Sequence, residues 1–400
     1  MLAVMEQWRK SFNALMIAEF LAIVGFSTSN PIIPLYLREL GITDVASLNL
    51  WTGAINGASA FVMAMAAPIW GALADSYGRK IMLLRAMVGG AIIMGLLALT
   101  NAPWQVLLLK TIQGAITGTV SAATVLTASL VPAESLGYYM GLLQMAVFTG
   151  NSAGPMFGGF ITDIAGSRMN FLATSVLLAG AAILVFRHVR ETWIPTPRTG
   201  SVLRNAIPDL SLLNAKSPLR SIFIVVFVIQ AANAMVGPII PLVVLHLQKT
   251  AAFAGSISGL IIGVASLAGA LGAVVTGKVS VRMGYDRALL ACIGGAFLAY
   301  LPQGLVQSPW QLLVLRALSG FFMGGTMPTA NALIGLRSRK ERQGATFGMS
   351  SAISNSGASL GPVVGATVAT LAGYQAAFFV TTLLLGMLSY GIYRAVLSRR

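Results

Sequence analysis

The sequence predicts an all-α membrane protein with twelve transmembrane helices in two related bundles of six. Hydrophobic residues make up 56% of the 400 positions and charged residues only 9%, whereas a soluble domain carries about 25% charged residues. Long runs without charge recur along the chain, and the second half repeats short sequences of the first. This composition excludes a soluble enzyme, a nucleic-acid-binding protein and a secreted scaffold, because so much apolar surface needs lipid as its solvent.

Charge-free runs mark the predicted helices, because a transmembrane helix needs about 20 mostly apolar residues. The first candidate helix, 11–37, contains a single charged residue, Glu19. The other runs cover 45–74, 86–109, 111–133, 135–162, 169–186, 221–248, 250–277, 288–315, 317–336 and 343–393. The last run is long enough for two helices joined by a turn at Gly373-Tyr374, which brings the predicted number of helices to twelve.

Basic residues predict the orientation, since cytoplasmic loops of membrane proteins carry an excess of lysine and arginine. With both termini placed in the cytoplasm, 21 of the 26 basic residues fall in cytoplasmic segments and three fall outside. The other two, Lys110 and Arg316, are predicted to lie inside the fourth and tenth helices, which begin at Pro103 and Pro309. The net charge of +15 then reflects loop composition, and no nucleic-acid partner is expected.

The longest polar stretch divides the chain into two halves. It covers 188–217 and contains three prolines, which is typical of an extended linker. We therefore predict a first six-helix bundle at 1–187, a cytoplasmic linker at 188–217 and a second six-helix bundle at 218–400.

The two halves share short sequences at a nearly constant offset of 206 or 207 residues. The run PIIPL at 31–35 recurs at 238–242, PWQ at 103–105 recurs at 309–311, and the Gly-Pro pair at 154–155 recurs at 361–362. Matches in the same order indicate a duplication, and duplicating an even number of helices keeps both halves in the same orientation. Such halves pack around an axis along the membrane normal, with a site between them near the midplane.

A charged run between the second and third helices, GALADSYGRK, begins at Gly71 and ends at Lys80. Gly71 permits close approach of helices, and Gly78 permits a turn with positive φ. Asp75 can pair with Arg79 or lie at the N-terminus of a neighbouring helix. The run therefore predicts a tight, charged hairpin.

The fifth helix contains a regular series of small residues. Gly150, Gly154, Pro155, Gly158 and Gly159 occupy spacings that give a helix one flat face for close packing, and a proline inside a helix bends it.

Together these runs resemble the signatures of the major facilitator superfamily, and within it those of the twelve-helix drug:proton antiporters. The charged hairpin is similar to the signature of the loop between helices 2 and 3, although Ser76 stands where a cation is usual. The small-residue series matches the antiporter signature in full. Gly25 with the prolines of the 31–35 run, and Lys110 with Gln113 and Gly114, resemble two further signatures, the second with lysine in place of arginine.

The resemblance implies roles for these residues. Gly71, Asp75, Gly78, Arg79 and Lys80 would form a conformational latch that favours the outward-facing state. The small-residue series would serve antiport. The resemblance also implies a monomer in a bacterial inner membrane and an acid on the first helix that takes part in proton coupling.

Glu19 is the predicted proton-coupling residue, with Lys110 as a second candidate. An ionisable residue inside a membrane is costly and is functional by default. On a helix, Glu19, Ile23, Phe26 and Asn30 form one stripe, which we expect to face the central cavity. Lys110 could tune a protonatable carboxyl or bind an anionic substrate. Both side chains could instead be structural, with Lys110 reaching towards the outer headgroups.

The remaining candidates are polar and aromatic residues inside helices that could line a substrate cavity. We predict for this cavity Phe26, Asn30, Gln113, Gln144, Phe148, Phe227, Gln230, Asn233, Arg316 and Asn331.

The sequence thus predicts proton-coupled export of amphipathic compounds by alternating access. The expected partners are small amphipathic substrates, protons and lipid. No cofactor is expected besides the proton as coupling ion, and one cysteine with two histidines does not favour a metal site. The alternative is a narrow-substrate carrier for a sugar, a lipid or an anionic metabolite, which Lys110 and Arg316 favour. A membrane enzyme is disfavoured because Glu19 is the one acid predicted within a span, without a cluster of catalytic groups.

Overall fold

The computed structural model describes residues 2–29, 31–132, 136–191, 219–248, 253–338 and 343–397, and within them the chain is helical, without strands. The helices are α1 (Leu2–Ser29), α2 (Ile33–Glu39), α3 (Val45–Tyr77), α4 (Arg79–Leu97), α5 (Pro103–Ile116), α6 (Thr119–Leu130), α7 (Leu136–His188), α8 (Arg220–Val236), α9 (Ile240–Gln248), α10 (Ala254–Met283), α11 (Tyr285–Tyr300), α12 (Pro309–Arg337) and α13 (Gln343–Leu397). Short 3₁₀ segments occur at Gly237–Ile239 and Leu301–Leu305.

The described helices make twelve passes, as the sequence predicts. Eight stretches are long and apolar enough to cross a membrane, and two of them, with 50 and 46 residues, belong to α7 and α13. Each of these two helices contains a turn, at Gly166 and Gly373, and therefore makes two passes. The 33-residue α3 and the 29-residue α12 complete the twelve. The first, fourth and seventh passes each contain two α-helices.

The turns repeat between the halves with nearly the same backbone angles. Gly78 and Gly284, 206 positions apart, have φ of 98° and 88°. Gly166 and Gly373, 207 positions apart, have φ of 81° and 82°. These angles strain any residue with a Cβ, so glycine is needed at each turn. The predicted turns at Gly78 and Gly373 are confirmed.

Each half has its own hydrophobic core. In the first half, the buried Phe12, Tyr36 and Phe171 belong to one cluster, and in the second half Phe223 and Phe378 belong to another. The predicted linker 188–217 falls mostly outside the described residues, which end at 191 and resume at 219, so its extent stays a prediction.

Among the described residues, two helix pairs make the most extensive contacts between the bundles: α7 packs against α10, and α3 packs against α13. Ser152 of α7 donates a hydrogen bond from Oγ to the carbonyl oxygen of Gly263 at 2.7 Å. Ser359 of α13 donates one to the carbonyl oxygen of Gly57 at 3.0 Å. The serines are 207 positions apart and the glycines 206, so the interface follows the internal repeat.

One end of the interface also carries a charged contact. We call the end where α1 begins and α13 ends the near end, and the opposite end the far end. At the far end, the carboxylate of Asp163 on α7 accepts hydrogen bonds from the backbone N–H groups of Gly255 at 3.1 Å and Ser256 at 2.6 Å. These groups lie in the first turn of α10, so Asp163 ties one bundle to the other at the far end.

Candidate functional site

A cavity of about 460 Å³ lies between the two bundles. Both halves contribute polar side chains to its wall. They include Ser27, Asn56 and Asn151 from the first half, and Asn233, Ser266, Tyr300, Arg316 and Ser319 from the second. Apolar contacts come from Phe148, Pro155, Ile262, Met323 and Met327. The predicted cavity residues Phe148, Asn233 and Arg316 lie in this wall.

Arg316 is the charged residue among the described residues of the cavity wall. Its side chain is 8% exposed, and Nη1 donates a hydrogen bond to the hydroxyl of Tyr300 at 2.9 Å. The Nε atom of Arg316 is buried without a hydrogen-bond partner in the described residues. Gln303 extends the network, since its Nε2 donates to Ser319 Oγ at 3.1 Å. Arg316 therefore places a positive charge in the cavity wall.

The first bundle contributes a polar pair to the same wall. Ser27 of α1 donates from Oγ to Asn151 Oδ1 of α7 at 2.7 Å. In the second half, 207 positions further on, these residues are replaced by Ala234 and Ala358. The two sides of the cavity are therefore unlike each other, although the helices around it repeat.

Glu19 lies inside the first bundle rather than in the wall of this cavity. Its side chain is fully buried, and neither carboxyl oxygen has a well-formed hydrogen bond within the described residues. The hydroxyl of Thr119, at the start of α6, is the polar group beside it. The prediction that the Glu19 stripe faces the central cavity is therefore wrong for Glu19.

Two other members of the stripe share this orientation. Phe26 turns its ring towards Gly90 of α4, and Ile23 lies against Gly150 of α7. The rotation of α1 about its own axis is set by this packing inside the first bundle. Asn30, the last member of the stripe, lies outside the described residues.

Lys110 is buried at a distance from Glu19. Its Nζ lies 3.5 Å from Ser29 Oγ, at the end of α1. Ser29 follows Glu19 by ten residues, which is about 15 Å along a helix axis. The structure therefore does not bring together the two residues that we predict to act in proton coupling.

The predicted latch lies at the near end, around the turn between α3 and α4. The backbone N–H groups of Arg79 and Lys80 donate to the carboxylate of Glu191 at 3.0 and 2.8 Å. Lys80 Nζ donates to the carbonyl oxygen of Phe186 at 2.9 Å. Glu191 thus caps the N-terminus of α4 within the first half. The side chain of Asp75 and the surroundings of Gly71 are outside the description, so the latch role of these residues stays a prediction.

The small-residue series packs closely, and it does so in both halves. A Cβ at Gly154 would lie 2.6 Å from the carbonyl oxygen of Val24, and a Cβ at Gly361 would lie 2.5 Å from that of Ala231. Gly150 and Gly158 likewise pack on α1, as Gly357 and Gly365 pack on α8. Gly159 contacts Gly255 across the interface. The second half has only a partial copy of the signature, and its glycines pack just as closely. Close packing is therefore not specific to the full signature, and the antiport role of the series stays a prediction.

The other predicted cavity residues do not line this cavity. Gln113 is buried, with Oε1 unpartnered within the described residues, and Gln144 is exposed. Phe26, Phe227, Gln230 and Asn331 are also absent from its wall. Helical position fixes how deep a side chain lies, but the direction in which it points depends on how each helix is rotated.

Sequence reasoning missed several functional candidates. No sequence pattern marks Tyr300 or Gln303. They lie at the end of α11 and in the 3₁₀ segment that follows it, and only folding brings them close to Arg316 and Ser319 on α12. Asp163 directly follows the charge-free run 135–162, but nothing in the sequence indicates its contact with α10. Asn56 and Ser266 are polar residues within apolar runs, a pattern that fits many buried positions.

Comparisons with known proteins agree with this architecture. The family model described as Major Facilitator Superfamily matches residues 15–302 and 222–397. The chain is 32% identical to the multidrug resistance protein MdtG of Enterobacter lignolyticus (strain SCF1), over 98% of this chain and 93% of that protein. It is 33% identical to the protein of the same name from Salmonella paratyphi B, over 94% and 92%.

Solved structures show the same fold at low sequence identity. The nucleoside transporter NupG is similar with a TM-score of 0.79 and 15% identity, over 96% of this chain and 99% of that chain. The human organic anion transporter MFSD10 (TETRAN) is similar with a TM-score of 0.70 and 19% identity, over 96% and 99%.

Proposed function

Because the chain belongs to the major facilitator superfamily and is a multi-pass membrane transporter, not an enzyme, we propose that it exports amphipathic compounds in exchange for protons. The relatives named MdtG are multidrug resistance proteins, which supports export of toxic compounds. The excess of basic residues at the near end supports a cytoplasmic location for both termini. The proposal places a monomer in the bacterial inner membrane.

The observation that carries proton coupling is the burial of Glu19. A carboxyl group without exposure to water and without a well-formed hydrogen bond is costly inside a membrane. Protonation removes the charge, so the group can take up a proton in one conformation and release it in another where water or a donor reaches it. Substrate and proton need not share one site, because Glu19 lies outside the cavity wall.

Arg316 supports a second candidate function. A positive charge in the cavity, without an acid among the described wall residues, fits an anionic or zwitterionic substrate better than a cationic one. The alternative is therefore a carrier for an anionic metabolite or an anionic amphiphile, and Glu19 would then be structural.

Transport into proteoliposomes separates the two functions. We would impose a proton gradient and follow a fluorescent lipophilic cation and, separately, a fluorescent organic anion. Glu19→Gln removes the titratable group and keeps a similar shape. Glu39→Gln is the matched control. Glu39 lies at the far end, away from Glu19, and its carboxylate accepts a hydrogen bond from Ser167 Oγ at 2.7 Å.

Proton-driven transport that is lost in Glu19→Gln and kept in Glu39→Gln supports the proposal. Full transport by Glu19→Gln contradicts it. Movement of the anion alone, without dependence on the gradient, favours the second candidate.

A further inference from the structure

The fourth pass is broken in the middle, between α5 and α6. Gly118 has φ of 135° and ψ of 42°, a conformation that L side chains rarely adopt. The hydrogen bond from the N–H of Ala122 to the carbonyl oxygen of Gly118 is the first of the new helix. The N–H groups of the first turn of α6 therefore have no acceptor within the helix, and this helix N-terminus lies inside the membrane.

Glu19 of α1 reaches this break. Its carboxyl is fully buried and both oxygens lack a well-formed hydrogen bond within the described residues. Thr119, the first residue of α6, presents its hydroxyl to the carboxyl and is itself only 4% exposed. The carboxyl oxygens of Glu19 thus lie beside the start of α6, where the first-turn N–H groups have no acceptor within the helix.

The internal repeat shows that the acid and the break occur together. The position 207 residues after Glu19 is Val226, a fully buried apolar residue. The position 206 residues after Gly118 is Gly324, which lies inside the uninterrupted helix α12. The half that has no acid at this position therefore has no glycine break at the matching position, although α12 contains Pro328 four residues later.

The described charges on the helices around α1 are directed elsewhere. α1 packs on α6 and α7, and its Phe26 also packs on Gly90 of α4. α6 contains no titratable residue. On α4, Arg79 and Lys80 lie in the first turn at the near end, and the guanidinium of Arg85 lies over the ring of Trp70 on α3 at 3.4 Å. On α7, Tyr139 packs on the rings of Trp8 and Phe12. The remaining described charges of α7 lie towards its turn or its end: Asp163, Arg168, Arg187 and His188. Lys110, on α5, lies beside Ser29 at the end of α1, ten residues after Glu19.

We propose that the start of α6 is the binding site for the ionised carboxylate of Glu19, and that Thr119 positions it. The Thr119 hydroxyl and the N–H groups of the first turn donate hydrogen bonds to the carboxylate, and the positive end of the helix dipole attracts its charge. When a proton from water binds a carboxylate oxygen, the charge is lost and this attraction ends. The proton leaves to water when the carboxylate forms again, so no other reactant is required.

The binding site itself is independent of the proposed function, but its part in proton coupling rests on that function. It makes the fourth pass the element that responds to protonation. Binding of the carboxylate draws α1 and α6 together, and release separates them.

Infrared titration of the purified full-length protein in lipid tests the assignment without a substrate. The carboxyl stretching band that is absent in Glu19→Gln reports the protonation of Glu19. Thr119→Val removes the hydroxyl and keeps the shape, whereas Thr119→Ser restores the hydroxyl. The control is Thr326→Val, because Thr326 is buried at a similar level of α12 and its hydroxyl donates to the carbonyl oxygen of Met323 at 2.6 Å.

We expect the titration midpoint of Glu19 in Thr119→Val to move to higher pH by about one unit, since the charged form loses a donor. Thr119→Ser and Thr326→Val should keep the wild-type midpoint. An unchanged midpoint in Thr119→Val, an equal shift in Thr326→Val or a Glu19 that does not titrate would overturn the assignment. A shift in Thr119→Val together with absent proton-driven transport would keep the site and reject the proposed function.

Discussion

Asp163 should hold the far end of the transporter closed. Its carboxylate, on one bundle, accepts two backbone hydrogen bonds from the first turn of α10 on the other, at 3.1 and 2.6 Å. Asp163→Asn removes the charge and leaves one amide oxygen as acceptor. A hydrogen bond to a charged group contributes about 1.5–3 kcal/mol, and the charge at a helix N-terminus adds about 0.3–1 kcal/mol.

A loss of about 2 kcal/mol would change the ratio of closed to open far ends by roughly 30-fold. Spin labels at Leu99 and Leu305, which are 70% and 68% exposed at the far end of different bundles, report this ratio as a distance distribution. The labels require Cys292→Ser, since Cys292 is the single cysteine.

Asp44→Asn is the matched control. Asp44 lies at the same end, and its carboxylate accepts a hydrogen bond from the N–H of Ser47 at 2.8 Å within the first bundle. The hydroxyl of Ser47 and then its backbone N–H lower the pKa of Asp44. We expect longer distances in Asp163→Asn and no change in Asp44→Asn. Equal distributions in the two variants would refute the assignment of Asp163 as an inter-bundle contact.

Three further substitutions test the packing and the polar networks. Gly259→Ala should strongly destabilise the interface, because its Cβ would overlap the backbone of α7, whereas Gly277→Ala meets open space; thermal unfolding of both variants in detergent compares them. Tyr300→Phe removes a hydrogen-bond acceptor of the buried Arg316 and should lower the free energy of unfolding by about 1–3 kcal/mol, which denaturant titration can measure. Glu191→Gln should speed hydrogen exchange in the first turn of α4, since the carboxylate that binds two of its N–H groups loses its charge.

The passes and their turns follow closely from the sequence. Charge-free runs locate the apolar segments that cross the membrane. Gly78 and Gly373 locate turns, because their backbone angles exclude most other residues. Pro103 and Pro309 mark helix starts, where a missing N–H costs nothing. These features depend on local chemistry, which a sequence displays directly.

The break at Gly118 and the direction of Glu19 do not follow from the sequence. Residues 111–133 read as one apolar run, and glycine is common inside membrane helices. Glu19 was expected to face the central cavity because a stripe shows which residues share a face but not where the face points. The packing of Ile23 on Gly150 and Phe26 on Gly90 sets that direction, and both contacts join distant parts of the chain.

The cavity is only partly predictable for the same reason. Arg316 was a candidate because a charge inside a helix is rare, and the structure places it in the wall. Its partner Tyr300 lies on α11, and no spacing in the sequence connects the two residues.

Substrate-driven proton movement tests the central claim most directly. Proteoliposomes with a trapped pH indicator, without an imposed gradient, would receive a lipophilic cation on one side. We predict that the wild type moves protons against the direction of the substrate, and that Glu19→Gln moves none while Glu39→Gln behaves as the wild type. Proton movement of wild-type size in Glu19→Gln would contradict the account.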